Sequence, residues 1–510
     1  MSNKPFYITT PIYYVNDVPH IGHAYTTVAA DCIARYKRLK GCNCLFLTGT
    51  DEHGQKVEKT ALSSNLKPIE LADKVVVRFK ELWKKLNISN NDFIRTTEER
   101  HKKAVKYLWK KIAANGDIYL GEYEDWYCTP CESFFTEKQL MDGRCPDCKR
   151  AVEKLKEPSY FFRMTKYQDA LLKHIEANPD FIEPESKRKE IVSFIKDGLK
   201  DLSISRTSFS WGITVPDDPK HIVYVWFDAL TNYLTAAGYP DERFMYFWPA
   251  DIHIIGKDIL RFHAVYWSSM LLSAGLPLPK KIFAHGWWTV EGQKMSKSLG
   301  NVVDPNGMID IYGVDPFRYF LLRDVPFGLD GDFSKTALVG RINGDLANNL
   351  GNLLSRTLAM IVKYLNGEVT KPAAPCSSDN NLKDTLTSSI RKFEASMEEL
   401  AFSKALTSVW EILSTANKYI DEMSPWMLAK EPQKKDNLIN ILYNCLEILR
   451  ISAVMIYPFM PASAENIWQQ IGIERDISKI DFDEEIRWGG LKEGAILKKG
   501  EPLFPKMEEV

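Results

Sequence analysis

The sequence predicts an α/β fold in which a Rossmann-type parallel sheet is split by a cysteine-rich insertion and followed by an all-helical domain. Three observations point there. Runs of β-branched and aromatic residues alternate with amphipathic runs over residues 1–115 and again beyond residue 220, which is the rhythm of βαβ units. Between these regions the pattern breaks into short aromatic stretches around four clustered cysteines. From about Gly340 onward nearly every segment repeats with helical period.

Taken in order, Phe6 to Thr10 alternates bulky and β-branched residues as a strand does, and a Pro- and Asn-containing turn leads to a helix from Ala24 to Leu39. A second strand, Cys44 to Thr48, ends at Gly49-Thr50-Asp51, and a helix follows from about Ile69 to Leu86. Residues 116–219 form the insertion, which includes an amphipathic segment from Lys166 to Ala177. The sheet is expected to resume with a strand at Ile222 to Phe227 and a helix to Gly238. A strand at His253 to Ile255, a helix from Ile259 to Ala274 and a last strand at Lys281 to Ala284 complete it, so that 1–115 and 220–275 are two halves of one domain. Residues 276–340 lead into a helical domain, 341–510, with helices at Leu346 to Leu365, Leu382 to Leu400, Ala405 to Ile420 and Leu438 to Ile456. The Pro/Ser/Asn-rich stretch Gly367 to Asn381 is expected to be a loop between helices.

A chain of 510 residues has room for about three domains. The balance of 66 Lys+Arg against 67 Asp+Glu excludes a global field for polyanions, so any nucleic acid must be met by local patches. The apolar runs fall short of the roughly 18 residues of a membrane span, which excludes a transmembrane role at this level. The N-terminal MSNKPFYITTPIYY lacks the basic flank, apolar core and cleavage site of a secretory signal, so a cytoplasmic protein is expected. Nine cysteines are too few for a disulfide framework in a chain of this length.

Two short motifs carry the chemistry. His20-Ile21-Gly22-His23 lies between the first strand and the following helix. Backbone N–H groups at a helix start favour phosphate, Gly22 permits close approach, and two imidazoles can donate to a developing phosphorane. A metal pair or plain surface would also accommodate two histidines. Lys294-Met295-Ser296-Lys297-Ser298, between Glu291-Gly292-Gln293 and Leu299-Gly300-Asn301, places two ammonium groups and two hydroxyls on a glycine-flanked loop suited to clamping pyrophosphate. A solvated basic turn is the bland alternative. The cysteines Cys128-x2-Cys131 and Cys145-x2-Cys148 have the spacing of a tetrahedral zinc site built from four thiolates, closed and therefore structural.

HIGH after the first strand and KMSKS after the last resemble the class I aminoacyl-tRNA synthetases, over essentially the whole chain. Within that class the chain resembles the methionyl-tRNA synthetase family in several stretches. These are Pro11-Ile12-Tyr13-Tyr14-Val15-Asn16, Gly49-Thr50-Asp51-Glu52-His53-Gly54, Val225-Trp226-Phe227-Asp228-Ala229, Ile255-Gly256-Lys257-Asp258 with Phe262-His263, and Ala284-His285-Gly286-Trp287. The resemblance implies ATP-dependent ligation of L-methionine to initiator and elongator tRNA(Met) through methionyl-adenylate, with Mg²⁺ accompanying ATP. It implies catalytic roles for His20, His23, Lys294 and Lys297, and ATP contacts from Gly22, Gly256, Asp258 and Ser296 as well. It puts the methionine side chain among Ile12, Tyr14, Trp226, Ala229, Tyr233, Ile259, His263 and Trp267, with Asp51 on the ammonium group, where a thioether gains from polarizable walls.

By the same resemblance Asn352, Arg356 and Trp426 read the anticodon. Asn352 and Arg356, four apart, share a helix face, and an exposed Trp can stack an unpaired base. The cluster Arg100, Lys102, Lys103, Lys106, Lys110 and Lys111 reads better as a solvated helix face than as a phosphate contact. The alternatives are a leucyl, isoleucyl, valyl or cysteinyl synthetase, or an inactive synthetase-like RNA-binding protein. The chain shows no appended β-rich module after its helices, from which a monomer is expected.

Overall fold

The computed structural model describes all residues except 1–3, 16–17, 130, 132, 136, 147, 242, 291, 296–300, 374–378, 498–499 and 509–510. The first part of the chain runs β1 (Pro5–Tyr14), α1 (Ile21–Leu39), β2 (Asn43–Asp51), α2 (Gln55–Ser63), α3 (Pro68–Lys85), β3 (Asp92–Arg95) and α4 (Glu99–Ala114). Then come β4 (Ile118–Cys128), β5 (Ser133–Phe135), β6 (Glu153–Phe162), α5 (Gln168–Ala177), β7 (Ile182–Glu183), α6 (Glu185–Lys196), β8 (Leu202–Ser203), β9 (Ser205–Arg206), β10 (Thr214–Val215) and β11 (Asp218–Val223). The helices α7 (Val225–Leu230), α8 (Asn232–Ala237) and α9 (Phe244–Phe247) precede β12 (Ile252–Gly256), a π-helical turn at Phe262–Trp267, α10 (Ser268–Ser273) and β13 (Ile282–His285).

Six strands form the parallel sheet in the order β3-β2-β1-β12-β13-β7. The two sequence halves thus meet where β1 pairs with β12, Ile8 opposite Ile252 and Thr9 opposite His253. Two expectations require correction. The stretch Ile222 to Phe227 is not a strand of the parallel sheet: its first residues close β11, which joins a separate three-stranded antiparallel sheet with β9 and β10, and Val225 begins α7. The segment 116–219 is not wholly an insertion either, because Ile182 and Glu183 pair in parallel with Ile282 and Phe283 and form the edge of the main sheet. Two residues carry no readable alternation, so only the tertiary pairing reveals that strand. Within that segment β4, β5, β6 and β8 form an antiparallel sheet in the order β5-β4-β6-β8.

A register shift in β1 prepares the site. Thr9 lies opposite Leu47, but Ile12 lies opposite Gly49 and Tyr14 opposite Asp51, so one extra residue is accommodated around Pro11. Such a bulge reverses the alternation of side chains. Because paired residues of parallel strands share a face, Ile12, Tyr14, Asp51, Thr9 and His253 come to one side of the sheet. Ile8, Phe46 and Ile254 point to the other side and join the core beneath α1.

The remainder comprises β14 (Trp288–Val290), β15 (Gln293–Lys294), α11 (Pro305–Tyr312), α12 (Val314–Arg323), β16 (Gly331–Phe333), α13 (Lys335–Arg341), a π-helical stretch at Ile342–Gly351, α14 (Asn352–Leu365), α15 (Asn380–Glu398), α16 (Phe402–Met423), α17 (Pro425–Leu428), α18 (Lys435–Ile456), α19 (Pro461–Gln470) and α20 (Phe482–Glu485). By length and composition α18 with its leading turn could cross a membrane, but all of its most apolar window is buried inside this helical domain. The fold-class expectation holds: parallel α/β sheet, cysteine-bearing insertion, helical C-terminal part.

Buried arginines join the two parts. Arg318 of α12 is fully buried and donates to the carbonyls of Phe459, Pro458 and Leu86 and to Asp31 Oδ2 at 2.7 Å. Asp31 also receives Arg35 Nε at 2.8 Å, and Arg35 donates to the Tyr457 hydroxyl. Burial alone would raise the Asp31 carboxyl, but the two guanidiniums outweigh it and hold it at about 2. The helix that begins at His20 is thereby fastened near its other end to the chain leaving α18.

Candidate active site

Helix α1 starts at the C-terminal end of β1 with a reciprocal cap. His20 is the N-cap, its Nδ1 accepting from the Gly22 N–H at 3.1 Å, while His23 Nδ1 accepts from the His20 N–H at 3.2 Å. An imidazole that accepts at Nδ1 and is neutral carries its proton at Nε2. Burial, and then His20, push the His23 pKa well below 6.5, so the ring is neutral at pH 7. The two rings stack at 3.8 Å, and His23 also lies 4.7 Å from the Tyr13 ring. The positive end of a 19-residue helix and imidazole N–H groups therefore gather at one place, which suits an anion.

The second motif is brought to the same helix. β14 and β15 form a hairpin with Thr289 opposite Lys294, and β14 pairs in parallel with β16. Asp332 Oδ1 accepts from the Thr289 hydroxyl at 2.6 Å and from the Gly292 N–H at 2.8 Å, pinning the turn that precedes Lys294. The Ile21 N–H donates to the Val303 carbonyl at 3.3 Å, tying the chain just after KMSKS to the start of α1. Met295 packs against the core cluster that includes Ile21 and Ala24. Ser296 and Lys297 lie outside the described residues, and of Lys294 only the backbone is described.

Between these motifs, β12 ends at Gly256. A Cβ there would stand 2.6 Å from Asp258 Oδ1, so glycine leaves the aspartate its position. Asp258 Oδ1 accepts from Trp287 Nε1 at 3.1 Å.

Across the sheet face prepared by the bulge lies an aromatic pocket. Trp226, Tyr233 and Trp267 are buried in one cluster, with Ile12, Tyr14 and Ile259 packed at its edge. Asp51, Ala229 and His263 are each less than 5% exposed. Trp226 stacks on Phe262 with centroids 3.8 Å apart. His263 Nδ1 lies 2.9 Å from the Ile259 carbonyl and Nε2 2.7 Å from the Tyr233 hydroxyl. A carbonyl only accepts, so Nδ1 carries the proton and Tyr233 donates to Nε2. Burial pushes the His263 pKa down to about 4, which keeps the ring neutral. The pocket thus has polarizable walls in which Tyr233 and His263 are committed to each other, while the buried indole N–H groups of Trp226 and Trp267 have no hydrogen-bond partner among the described residues.

Sequence reasoning missed one buried group beside this pocket, His53–Asp228–His101, because its members come from three distant stretches. The pairing of an Asp beside Trp226 with a His following Asp51 was its only signal. Of the basic side chains of α4, Arg100 pairs with Asp92 and Glu98, and Lys102 with Glu99.

The four cysteine sulfurs of Cys128, Cys131, Cys145 and Cys148 lie within 4.8 Å of one another, with Cys128–Cys148 at 3.5 Å and Cys131–Cys145 at 3.8 Å. Tetrahedral zinc with Zn–S of about 2.3 Å requires sulfurs about 3.8 Å apart, so the donor set fits the ion. None of the four is in a disulfide, they sit in a small apolar cluster, and neighbouring Cys131 draws the Cys128 thiol below its ordinary value.

In the helical part, Asn352 Nδ2 donates to Asn417 Oδ1 at 3.3 Å and Arg356 Nη2 to Asp421 Oδ1 at 2.6 Å. The Arg356 guanidinium lies 5.9 Å from the Trp426 ring. The three expected residues therefore do share one surface, although Trp426 is half-buried against the core instead of fully exposed.

A parallel sheet with HIGH capping its first crossover helix, and the lysine-bearing hairpin tied to that cap, defines a class I aminoacyl-tRNA synthetase. The family described as tRNA synthetases class I (M) matches residues 6–158 and 151–358, and the anticodon binding domain of methionyl tRNA ligase matches 369–510. Methionine–tRNA ligase of Caldanaerobacter subterraneus subsp. tengcongensis is 54% identical, over 99% of this chain and 79% of its own length. That of Bacillus subtilis is 52% identical, over 99% and 78%. The methionyl-tRNA synthetase of Mycobacterium tuberculosis in complex with methionyl-adenylate superposes with a TM-score of 0.95 at 46% identity, covering 98% of this chain and 100% of that one. The chain belongs to the methionyl-tRNA synthetase family, and its activity is that of an ATP-dependent methionine–tRNA ligase.

Proposed function

We propose that the residues gathered at the cleft divide the family's reaction as follows. The methionine carboxylate attacks the α-phosphorus of ATP, pyrophosphate departs, and the acyl group then passes to the terminal adenosine of tRNA(Met). The nucleophile is already an anion, so the first step requires no general base. Its cost lies in positioning and in charge on phosphate oxygens. His20 and His23, protonated at Nε2 by their capping bonds, donate to those oxygens at the start of α1, where Gly22 leaves room. Lys294, Ser296 and Lys297 grip the departing pyrophosphate. Gly256 and Asp258 hold the ribose. Mg²⁺ accompanying ATP would supply charge that offsets the negative charge on the phosphates.

Methionine would enter between Ile12, Tyr14, Trp226, Ala229, Tyr233, Ile259, His263 and Trp267, with Asp51 receiving its ammonium group. Tyr233 spends its proton on His263, so the walls offer the thioether dispersion and no charge. Zinc held by Cys128, Cys131, Cys145 and Cys148 would stabilise the inserted lobe. Asn352 and Arg356 would bond anticodon bases and Trp426 would stack one. The reciprocal histidine cap, tied to the KMSKS hairpin through Val303, carries this reading. ATP–pyrophosphate exchange with each amino acid in turn tests it: exchange with methionine alone is expected, and equal exchange with leucine or isoleucine overturns it. Hydrodynamic mass tests the expected monomer.

A further inference from the structure

Asp228 is fully buried, and its two oxygens reach two imidazoles: Oδ2 to His53 Nδ1 and Oδ1 to His101 Nε2, each at 2.7 Å. The carboxylate is ionised: burial opposes this, but the neighbouring His53 and His101 prevail and hold it at about 2. An ionised carboxylate only accepts, so both rings donate to it. Beyond it, His101 Nδ1 meets the Thr235 hydroxyl at 3.0 Å. His53 is edge-on to Trp211, whose indole N–H donates to the Glu52 carbonyl at 2.5 Å.

The origin of these groups matters more than their number. His53 stands two residues beyond Asp51, on the chain leaving β2. Asp228 stands on α7 between Trp226 and Ala229. Thr235 is on α8, two residues beyond Tyr233. The charged wall and the aromatic walls of the proposed methionine pocket therefore converge on one carboxylate, backed by α4 through His101. We propose that Asp228, with His53 and His101, is a positioning network that sets the separation between the ammonium-binding and thioether-binding walls of that pocket. The proposal rests on the methionine-pocket reading given above. A bifunctional buried acceptor suits this task, since two short charge-assisted bonds fix three segments at once.

The test uses steady-state ATP–pyrophosphate exchange with the full chain. His53→Leu and His101→Leu remove the donors. His53→Asn keeps an N–H at the Nδ1 position and His101→Gln keeps one at the Nε2 position. Asp228→Asn puts a donor where the carboxylate accepted from both rings. We expect His53→Leu, His101→Leu and Asp228→Asn to raise the methionine KM by at least about tenfold, with the ATP KM and tRNA affinity within about twofold of the parent. The amide-bearing His53→Asn and His101→Gln should restore the methionine KM to within about threefold.

If the parent exchanges with methionine but His53→Leu and Asp228→Asn leave its methionine KM unchanged, the network proposal fails while the pocket stands. If the leucine and amide variants are equally impaired, or if methionine KM, ATP KM and thermal stability all move together, the trio merely supports the fold and the proposal is overturned. A parent that does not exchange with methionine defeats the pocket reading instead.

Discussion

The cleft and the helical surface solve the same problem, presenting polar groups to a ligand, in opposite ways. In the cleft the groups are buried and held by partners far away in sequence: Tyr233 by His263, His53 by Asp228, and Thr26 by His285 at 2.7 Å. On the helical surface most of them are part-exposed, and they are held by a ladder between parallel helical segments. Trp410 donates to the Asp345 carbonyl, Asn349 to Ser414, Asn352 to Asn417 and Arg356 to Asp421, always 65 positions apart. Helical period sets the second arrangement, so neighbouring rungs are replaceable one at a time. Strand register and a bulge set the first, so its members depend on each other.

The largest effect that would sharpen this contrast is on the phosphate side. Lys297→Ala should slow adenylation about a hundredfold or more with tRNA affinity nearly unchanged, as measured by exchange and by a tRNA titration; normal exchange would remove Lys297 from the chemistry. Trp426→Ala should do the reverse. Stacking on an aromatic ring is worth about 1–3 kcal/mol, so tRNA charging efficiency should fall about ten- to a hundredfold while exchange with methionine persists. An equal loss in both assays would mean that the two regions are not separable.

A smaller change is expected from Tyr233→Phe. It leaves the buried His263 Nε2 without its donor, at a cost of about 1–3 kcal/mol, and should raise the methionine KM several-fold while sparing the ATP KM. Removing zinc with a chelator should lower the melting temperature of the inserted lobe and leave the Arg356–Asp421 surface able to bind an anticodon stem-loop. A stem-loop affinity that fell with the metal would show that the regions communicate.

The mildest test is pH. Burial holds His263 at about 4, against 6.5 for an exposed imidazole. The unfolded chain therefore binds more protons between those values, and stability is complete above about pH 6.5 and declines as pH falls towards 4. Asp228, held near 2 against an ordinary 3.8, adds a second decline only below 3.8. The urea midpoint measured from pH 8 to 4 should fall, and in His263→Gln it should fall less steeply. A midpoint flat across that range would show that the ring is not buried and neutral.

Much of the site was legible because its signals are local. HIGH, KMSKS and the paired CxxC each sit within a few residues, and Asn352 with Arg356 obey one helical turn. The strand at Ile182–Glu183 was illegible because two residues have no period. Val225 to Phe227 read as a strand because its apolar run is too short to distinguish a buried helix from a buried strand. The Asp228 trio and the Arg318–Asp31–Arg35 cluster were hidden because each joins residues that no spacing rule connects.

The sequence by itself determined the order of the elements, the chemistry available at each turn and the family to which the chain belongs, since these follow from residue type and short-range period. Tertiary structure alone decided which groups face one another. The one-residue slip at Pro11 turns Ile12 and Tyr14 toward Asp51, and Asp228 finds its two imidazoles only when both halves of the sheet have closed. Pairing register and burial are properties of the assembled chain, because a carboxylate in water has many partners and one in the core has only those that the packing brings to it.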